Sequence, residues 1–324
     1  MSFRAFVVRH KKVILLCLIG ILAARVFLPQ MDVLADCIRT LEQANPAWVL
    51  LAAVFYFTGI PVLAIQFTAL SFKKLLFPLT LRVQAATMFV NKIVPQGIGT
   101  ISLNIYYFIK KAHTPSQATA VVTMNAITST TAYIFLIIMA LIFSDVSVGG
   151  IFKDKHIGEN ISLLLVVTIL GIIITLLNAG DFKKKIGASW SKLKENLLTY
   201  KTRPKAVLVS TVVNGIGTSL NILALICCAK AIGVDISFAD ALLAYTFGNI
   251  AATLVPTPGG IGSAEMGIYS GLVLTGLDPS VAISITLLYR LVSYWLPILP
   301  GYYYFHSLKK TIFADYNVKK AAEV

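Results

Sequence analysis

The side chains best suited to chemistry lie around one interrupted segment, VPTPGGIGSAE, at residues 255–265. The segment ends at Glu265, and apolar sequence lies on both sides of it. Arg290 follows within the apolar run ITLLYRLVSYWLP. An ionisable side chain in apolar surroundings is costly unless it is paired or hydrated, so we expect Glu265 and Arg290 to interact. The pair could be purely structural, or it could be a switch that opens when an anionic group takes the arginine.

The same segment predicts a break between two helices. Two prolines stop an incoming helix, and three glycines permit a tight turn with close backbone approach. These residues are Pro256, Pro258, Gly259, Gly260 and Gly262. Ser263 is predicted to be the N-cap of the outgoing helix. The free N–H groups of that helix could hold an anion such as a phosphate, or the segment could merely turn the chain.

A related motif occurs in the first half of the chain. PQGIGT at residues 95–100 aligns with PGGIGS at residues 258–263, and Tyr106 matches Tyr269 at the same offset. The corresponding helix break is predicted at Pro95, Gly97 and Gly99. The pair of motifs therefore favours an internal duplication.

Polar side chains close to the two breaks are the remaining binding candidates. Asn91 and Asn249 each precede one of the motifs, and Lys92 is the best cationic candidate in the first half. Intramembrane amides more commonly form hydrogen bonds between helices. We therefore predict that Asn91, Lys92 and Asn249 contribute either to substrate binding or to helix packing.

The composition indicates a polytopic helical membrane protein. Hydrophobic residues make up 57% of the 324 residues and charged residues only 13%, which leaves no stretch polar enough for a soluble catalytic domain. The formal net charge of +14 comes from short loops and tails, which fits the positive-inside rule and does not suggest nucleic-acid binding. No stretch is expected to bind a nucleic acid.

Apolar segments of membrane-spanning length recur along the chain. Six spans are predicted at residues 13–28, 46–70, 117–143, 161–177, 206–229 and 280–304. Two further apolar regions, 75–109 and 238–277, are interrupted and predict broken, re-entrant hairpins. The strongly basic loop at residues 178–205 and the basic termini predict that both ends of the chain are cytoplasmic. The sequence has no eukaryotic targeting signal, so we expect the protein in a prokaryotic inner membrane.

This order predicts an all-α fold of two inverted-topology repeats, each with three spanning helices and one broken hairpin. Repeat one covers about 1–144, repeat two about 161–304, and a basic cytoplasmic tail covers 305–324, all within a single transmembrane domain over 1–324. Inverted repeats built around discontinuous helices are typical of transporters, whose binding sites lie near the membrane midplane.

Catalytic and metal-binding patterns are not found in the sequence. The four histidines lie near loops or tails, and the four cysteines lack a metal-ligand spacing. No metalloprotease motif, nucleophile elbow or P-loop occurs. We therefore expect no enzyme activity, cofactor or metal.

The second half resembles a known family. The run PTPGGIGSAE, followed by Gly276, Ala282, Arg290, Pro297 and Gly301, is similar to the pattern of the lysylphosphatidylglycerol synthase transmembrane region, also called the flippase-like family. The resemblance implies lipid handling: members are thought to move aminoacylated phospholipids or polyprenyl-linked glycans between leaflets. It also implies that the family's glutamate and arginine correspond to Glu265 and Arg290.

The first half departs from the family pattern. The family usually has an arginine shortly after its first-half proline, whereas this chain has QGIGTISLN, and NAIT at residues 125–128 replaces the usual Glu-Arg pair. Either Lys92 supplies the missing charge or the headgroup differs. Longer members carry a cytoplasmic aminoacyltransferase domain, which is absent from these 324 residues, so we do not expect a synthase.

The sequence therefore predicts a lipid flippase or transporter. Its partners would be membrane lipids, either an anionic phospholipid or a polyprenyl-linked sugar, with the headgroup near the broken hairpins. The alternatives are a transporter of a small soluble anion and a non-catalytic membrane partner of a lipid-modifying enzyme.

Overall fold

The structure is a computed structural model that describes residues 42–94, 97–143, 191–255 and 257–311, and its regular elements are helices. In chain order these are α1 (Pro46–Leu70), α2 (Phe77–Ile93), α3 (Ile98–Lys110), α4 (Pro115–Phe143), α5 (Pro204–Ala231), α6 (Phe238–Leu254), α7 (Ser263–Leu274), α8 (Pro279–Arg290) and α9 (Ile298–Thr311). A π-helical turn, Leu291–Trp295, continues α8 towards α9.

Four helical stretches in the described chain are long and apolar enough to cross a membrane. They are Pro46–Leu70, Pro115–Ala140, Pro204–Ala231 and Pro279–Leu308, and they match four of the six predicted spans to within a few residues. The last stretch combines α8, the π turn and part of α9. The fold is thus that of a polytopic helical membrane protein. The predicted spans at 13–28 and 161–177 lie outside the described residues.

Prolines begin most of the long helices. Pro46, Pro204 and Pro279 occupy the first turns of their helices, where the missing N–H removes no helical hydrogen bond. Asn45 precedes Pro46, and its side chain accepts from the N–H of Ala47 (3.0 Å). Pro115 is likewise the first residue of α4.

Each interrupted apolar region forms a pair of short helices. The first pair is α2 and α3, and the second is α6 and α7. Helices α6 and α7 approach closely because small residues line their contact: a Cβ on Gly271 would lie 2.5 Å from the Cα of Ala244. Helix α9 packs against α2 in the same way, since a Cβ on Gly301 would lie 2.8 Å from the backbone nitrogen of Phe89. The last helix therefore supports the first pair.

Polar contacts tie three loops together at the end of the molecule where α1 finishes. Ser71 Oγ contacts His113 Nε2 (3.0 Å), and Arg203 Nη2 donates to the carbonyl of Ser71 (2.9 Å). Tyr200 donates its hydroxyl hydrogen to the carbonyl of Leu70 (2.7 Å). The bond from Tyr200 satisfies the carbonyl of Leu70, the last residue of α1, which has no partner within the helix.

Candidate functional site

The carboxylate of Glu265 accepts two hydrogen bonds at the start of α7. Its Oε2 accepts from the N–H of Gly262 (2.8 Å), and its Oε1 accepts from Nε of Arg290 (2.7 Å). The arginine also donates through Nη2 to the carbonyl of Gly259 (3.3 Å). Both side chains are largely withdrawn from solvent, at 10% exposed for Arg290 and 25% for Glu265. The expected interaction of Glu265 with Arg290 is therefore present, and it joins α8 to the turn and to α7.

Three glycines with positive φ form the turn before α7. Gly259, Gly260 and Gly262 have φ of +61°, +71° and +82°, a region that side chains disfavour. Gly259 has a second constraint, because a Cβ there would lie 2.5 Å from Cε2 of Tyr294 and 3.1 Å from Cα of Lys92. Its N–H donates to the carbonyl of Val94 (3.1 Å) at the end of α2. The two breaks in the chain therefore touch each other.

Lys92 joins this contact from the first half of the chain. Its Nζ donates to the carbonyl of Ser293 (2.8 Å) and lies 4.8 Å from the ring centroid of Tyr294. The guanidinium carbon of Arg290 lies 4.7 Å from the same centroid. One tyrosine ring thus packs against two cations, an arrangement that the negative face of the ring favours.

The carbonyl that holds Lys92 is free because of a proline. In an α-helix the carbonyl of Ser293 would accept from residue 297, but Pro297 has no N–H. The π turn shifts the neighbouring bond as well, so that the N–H of Leu296 donates to Leu291 (3.0 Å). Sequence reasoning did not foresee this role for Ser293 and Tyr294, although a proline four residues after Ser293 was a usable signal.

The resulting cluster carries an excess of positive charge. Lys92 and Arg290 are both cationic, whereas Glu265 is the one carboxylate that contacts them among the described residues. The cluster therefore has a formal charge of +1. The hydroxyl of Ser293 is buried beside it with no hydrogen-bond partner in the described chain. A buried hydroxyl without a partner is unusual, and this one keeps a free hydrogen-bonding capacity beside the two basic side chains.

The start of α7 is already occupied by an anion of the protein. The N–H of Gly262, which the sequence analysis offered to an external anion, is bonded to Glu265. The predicted N-cap role of Ser263 is wrong, because Gly262 occupies that position and Ser263 is the first residue of the helix. The Ser263 hydroxyl instead contacts the carbonyl of Gly260 (3.4 Å) and the Thr257 hydroxyl (3.2 Å). The N–H of Gly262 is therefore not free to bind an external anion.

The two asparagines have different surroundings. Asn91 caps the start of α3: its Oδ1 accepts from the N–H of Thr100 (2.8 Å), and its Nδ2 donates to the hydroxyl of the same residue. Gly99 makes this possible, since a Cβ there would lie 2.6 Å from Oδ1 of Asn91. Asn249 lies on α6, where its Nδ2 donates to the carbonyl of Tyr245 (3.1 Å). Neither amide is bonded to the charged cluster.

The remaining residues of the predicted breaks are placed as follows. Gly97 precedes α3 with a φ of +85°, whereas Gly99 lies inside that helix. Pro258 lies in the turn before α7, and its carbonyl accepts from the N–H of Ile261 (3.3 Å). Pro95 and Pro256 lie outside the described residues.

A fold of apolar helices with a buried ion pair between interrupted helices defines a class of protein, the polytopic helical membrane proteins with a polar centre. Within that class, the family model for the lysylphosphatidylglycerol synthase transmembrane region matches residues 13–301, and the chain belongs to this family.

Two relatives are archaeal. UPF0104 membrane protein MJ1078 of Methanocaldococcus jannaschii is 24% identical over 237 residues, which cover 70% of this chain and 97% of that protein. UPF0104 membrane protein PH1989 of Pyrococcus horikoshii is 30% identical over 120 residues, covering 37% of this chain and 36% of that protein. Both names describe a membrane protein and give no substrate.

Proposed function

We propose that this protein moves an anionic phospholipid or a lipid-linked sugar between membrane leaflets and holds the phosphate at Arg290 and Lys92. The observation that carries the proposal is the formal charge of +1 in the cluster of Lys92, Arg290 and Glu265. Charges inside a membrane are stable when they are paired. Lys92 contacts a carbonyl and an aromatic ring but no carboxylate among the described residues, so one phosphate anion would complete the pairing.

The proposed function requires that the protein is a single transmembrane domain of two inverted repeats with two re-entrant hairpins. The legs of the hairpins support it, because α2 and α6 have 17 residues, α3 has 13 and α7 has 12. At 1.5 Å per residue these legs are about 18 to 26 Å long, shorter than the hydrocarbon core of about 30 Å. Both breaks would therefore lie at membrane depth, where inverted-repeat transporters bind their substrates.

The proposed movement is an exchange of partners at the arginine. The lipid phosphate would accept from Arg290 in place of the Glu265 carboxylate, which keeps its bond to the N–H of Gly262. Glu265 would return to Arg290 when the lipid leaves, so the arginine is paired before and after the movement. No covalent step is involved, and the acyl chains would stay in the bilayer while the headgroup crosses.

The test is lipid scrambling in proteoliposomes with acyl-labelled fluorescent phospholipids. We expect the wild type to move an anionic phospholipid, and Arg290→Ala to reduce the rate at least about tenfold, because the phosphate loses a charge-assisted partner. Lys230→Ala is the matched control. Lys230 also pairs with a carboxylate, Asp235 (3.0 Å), and lies 5.3 Å from the ring centroid of Trp48, but it is in the last turn of α5 and is not part of the cluster.

Two outcomes would point to the alternatives. Equal scrambling by wild type and Arg290→Ala would show that the cluster does not hold the lipid, which favours a structural role beside a lipid-modifying enzyme. Uptake of a radiolabelled soluble phosphate without lipid movement would identify a transporter of small anions instead.

A further inference from the structure

A second polar site is a cavity of about 220 Å³ lined by residues of α1, α4, α5 and the first legs of both hairpins. Its wall includes Met88 of α2 and Tyr245 of α6. Met88 is four residues before Lys92, so the two side chains project from the same face of α2 about 6 Å apart along its axis. A headgroup whose phosphate contacts Lys92 could therefore extend into this cavity.

The cavity is lined by uncharged hydrogen-bonding groups. They include the side chains of Gln66, Asn214, Thr218, Asn221, Tyr56 and Tyr245. Amide and hydroxyl groups can both donate and accept, which suits ligand hydroxyls. No ionised side chain is among the lining residues of the described chain, so an ammonium group would enter without a carboxylate partner.

Gln66 is the observation that points to a ligand. It is only 2% exposed, and its Oε1 is buried with no hydrogen-bond partner in the described part of the chain. Buried amide oxygens are normally satisfied, so an acceptor left open towards a polar cavity calls for a donor. Asn221 also lines the cavity, and its Nδ2 donates to the carbonyl of Gly217 (2.8 Å) one turn earlier on its own helix.

We propose that this cavity binds the neutral, hydroxyl-bearing part of the lipid headgroup, such as a glycerol or a sugar, through Gln66 and Asn221. The inference rests on the proposed function, since it divides the headgroup between a phosphate site at Lys92 and Arg290 and a polyol site in the cavity. Selection among anionic lipids then depends on hydroxyl groups, while the charged cluster supplies the requirement for an anion.

The test compares two lipids of equal charge in phosphatidylcholine proteoliposomes. Acyl-labelled phosphatidylglycerol carries two headgroup hydroxyls, whereas acyl-labelled phosphatidylmethanol carries none. We expect the wild type to move phosphatidylglycerol about fivefold faster, as one or two additional hydrogen bonds allow. Gln66→Met should bring this ratio close to one, because the hydroxyls of phosphatidylglycerol lose their partner at this position. The Oε1 atom of Gln66 accepts no hydrogen bond in the described chain, so this substitution removes no native bond to that oxygen.

Two further variants complete the experiment. Asn221→Ala is expected to lower the ratio as well, which guards against a folding defect specific to Gln66→Met. Thr68→Val is the control on the same helix, because the Thr68 hydroxyl donates to the carbonyl of Ala64 (2.7 Å) and does not line the cavity; its ratio should equal that of the wild type.

The results separate this inference from the function on which it rests. A wild-type ratio of one, or a ratio that both cavity variants leave intact, overturns the polyol site while the proposed lipid movement stands. If neither lipid moves with the wild type, the proposed function fails and the polyol site fails with it.

Discussion

The guanidinium of Arg290 donates hydrogen bonds to two acceptors that belong to different elements of the fold. Nε donates to the Glu265 carboxylate on α7, and Nη2 donates to the Gly259 carbonyl in the preceding turn. The planar guanidinium presents these donors at fixed angles, which the single ammonium of lysine does not do. The arginine therefore determines both the charge of the cluster and the path of the turn.

At the residue scale, removing one member of the ion pair should be more harmful than removing both. Arg290→Met leaves the Glu265 carboxylate buried without its cation, and we expect it to lower the free energy of unfolding by about 3 kcal/mol. The double variant Glu265→Gln/Arg290→Met should recover most of this loss, because neutral groups replace both charges. Thermal unfolding in detergent measures the difference.

The same double variant separates stability from transport. If the ion pair is needed for lipid movement, the stable double variant remains inactive in the scrambling assay. Full activity in that variant would contradict the exchange of partners at Arg290, because neither charge would then be required.

His113 is a second residue with a testable electrostatic role, and it lies in the loop after α3, outside the membrane-spanning segments. Burial lowers its pKa below the ordinary value of 6.5, and Lys73 acts in the same direction, although hydrogen bonds from its ring to the carbonyls of Phe108 and Lys111 oppose them. The unfolded chain therefore binds a proton more readily than the native state does. Stability should be full above pH 6.5 and should fall as the pH drops towards the lowered native pKa.

Thermal unfolding measured as a function of pH checks this prediction. The melting temperature of the wild type should decrease below about pH 6.5, whereas His113→Gln should show a smaller decrease over the same range, because glutamine does not titrate. An equal pH dependence in the two proteins would exclude His113 as the source.

At the element scale, the contact between the two helix breaks depends on Gly259. The N–H of this glycine bonds to Val94, and its missing side chain admits Tyr294 and Lys92. The two pairs of short helices therefore meet through the backbone at their breaks. Such a close approach of two backbones requires a residue without a side chain, which is glycine.

Gly259→Ala should consequently destabilise the protein more than an alanine at a comparable glycine elsewhere. Gly276→Ala is the matched control, since Gly276 also has a positive φ (+91°) but has no atom within 4 Å of an added Cβ. Backbone strain alone should cost about 1 kcal/mol at either position. Thermal unfolding should show a clearly larger loss for Gly259→Ala, and equal losses would mean that the two breaks can separate without cost.

At the scale of the whole molecule, the two ends of the helices differ in charge. Exposed lysines lie at the end where α1 finishes, and they are Lys73, Lys74, Lys110, Lys201 and Lys205. Acidic side chains lie near the opposite end, where α1 starts and α5 finishes, and they are Glu42, Asp235, Asp240 and Asp278. This asymmetry agrees with a cytoplasmic basic end, and it predicts the orientation of the protein.

Cysteine labelling tests the orientation. In a background without native cysteines, Asp235→Cys should react with a membrane-impermeant maleimide in intact spheroplasts, whereas Lys74→Cys should react after permeabilisation and remain near background before it. The reverse pattern would show that the charge asymmetry does not set the topology.

The amino-acid sequence by itself determined the local features of this protein. Prolines at helix starts and glycines in breaks act through the backbone of their own neighbourhood, so the helix at 46–70 and the turn before α7 were predictable. The interaction of Glu265 with Arg290 was predictable as well, because two opposite charges in apolar surroundings have few other partners. The family resemblance added the same two residues and is confirmed by the family match.

Only the tertiary structure decided which residues from distant parts of the chain contact each other. The bond from Lys92 to Ser293 joins residues 201 positions apart, and it requires a π turn that no local pattern predicted. The helix start offered to an anion is filled by Glu265, and Asn91 caps a helix while its counterpart Asn249 does not. The partner of each hydrogen-bond donor depends on which acceptors lie within reach in the folded protein. That placement is set by the packing of segments that are distant in the sequence.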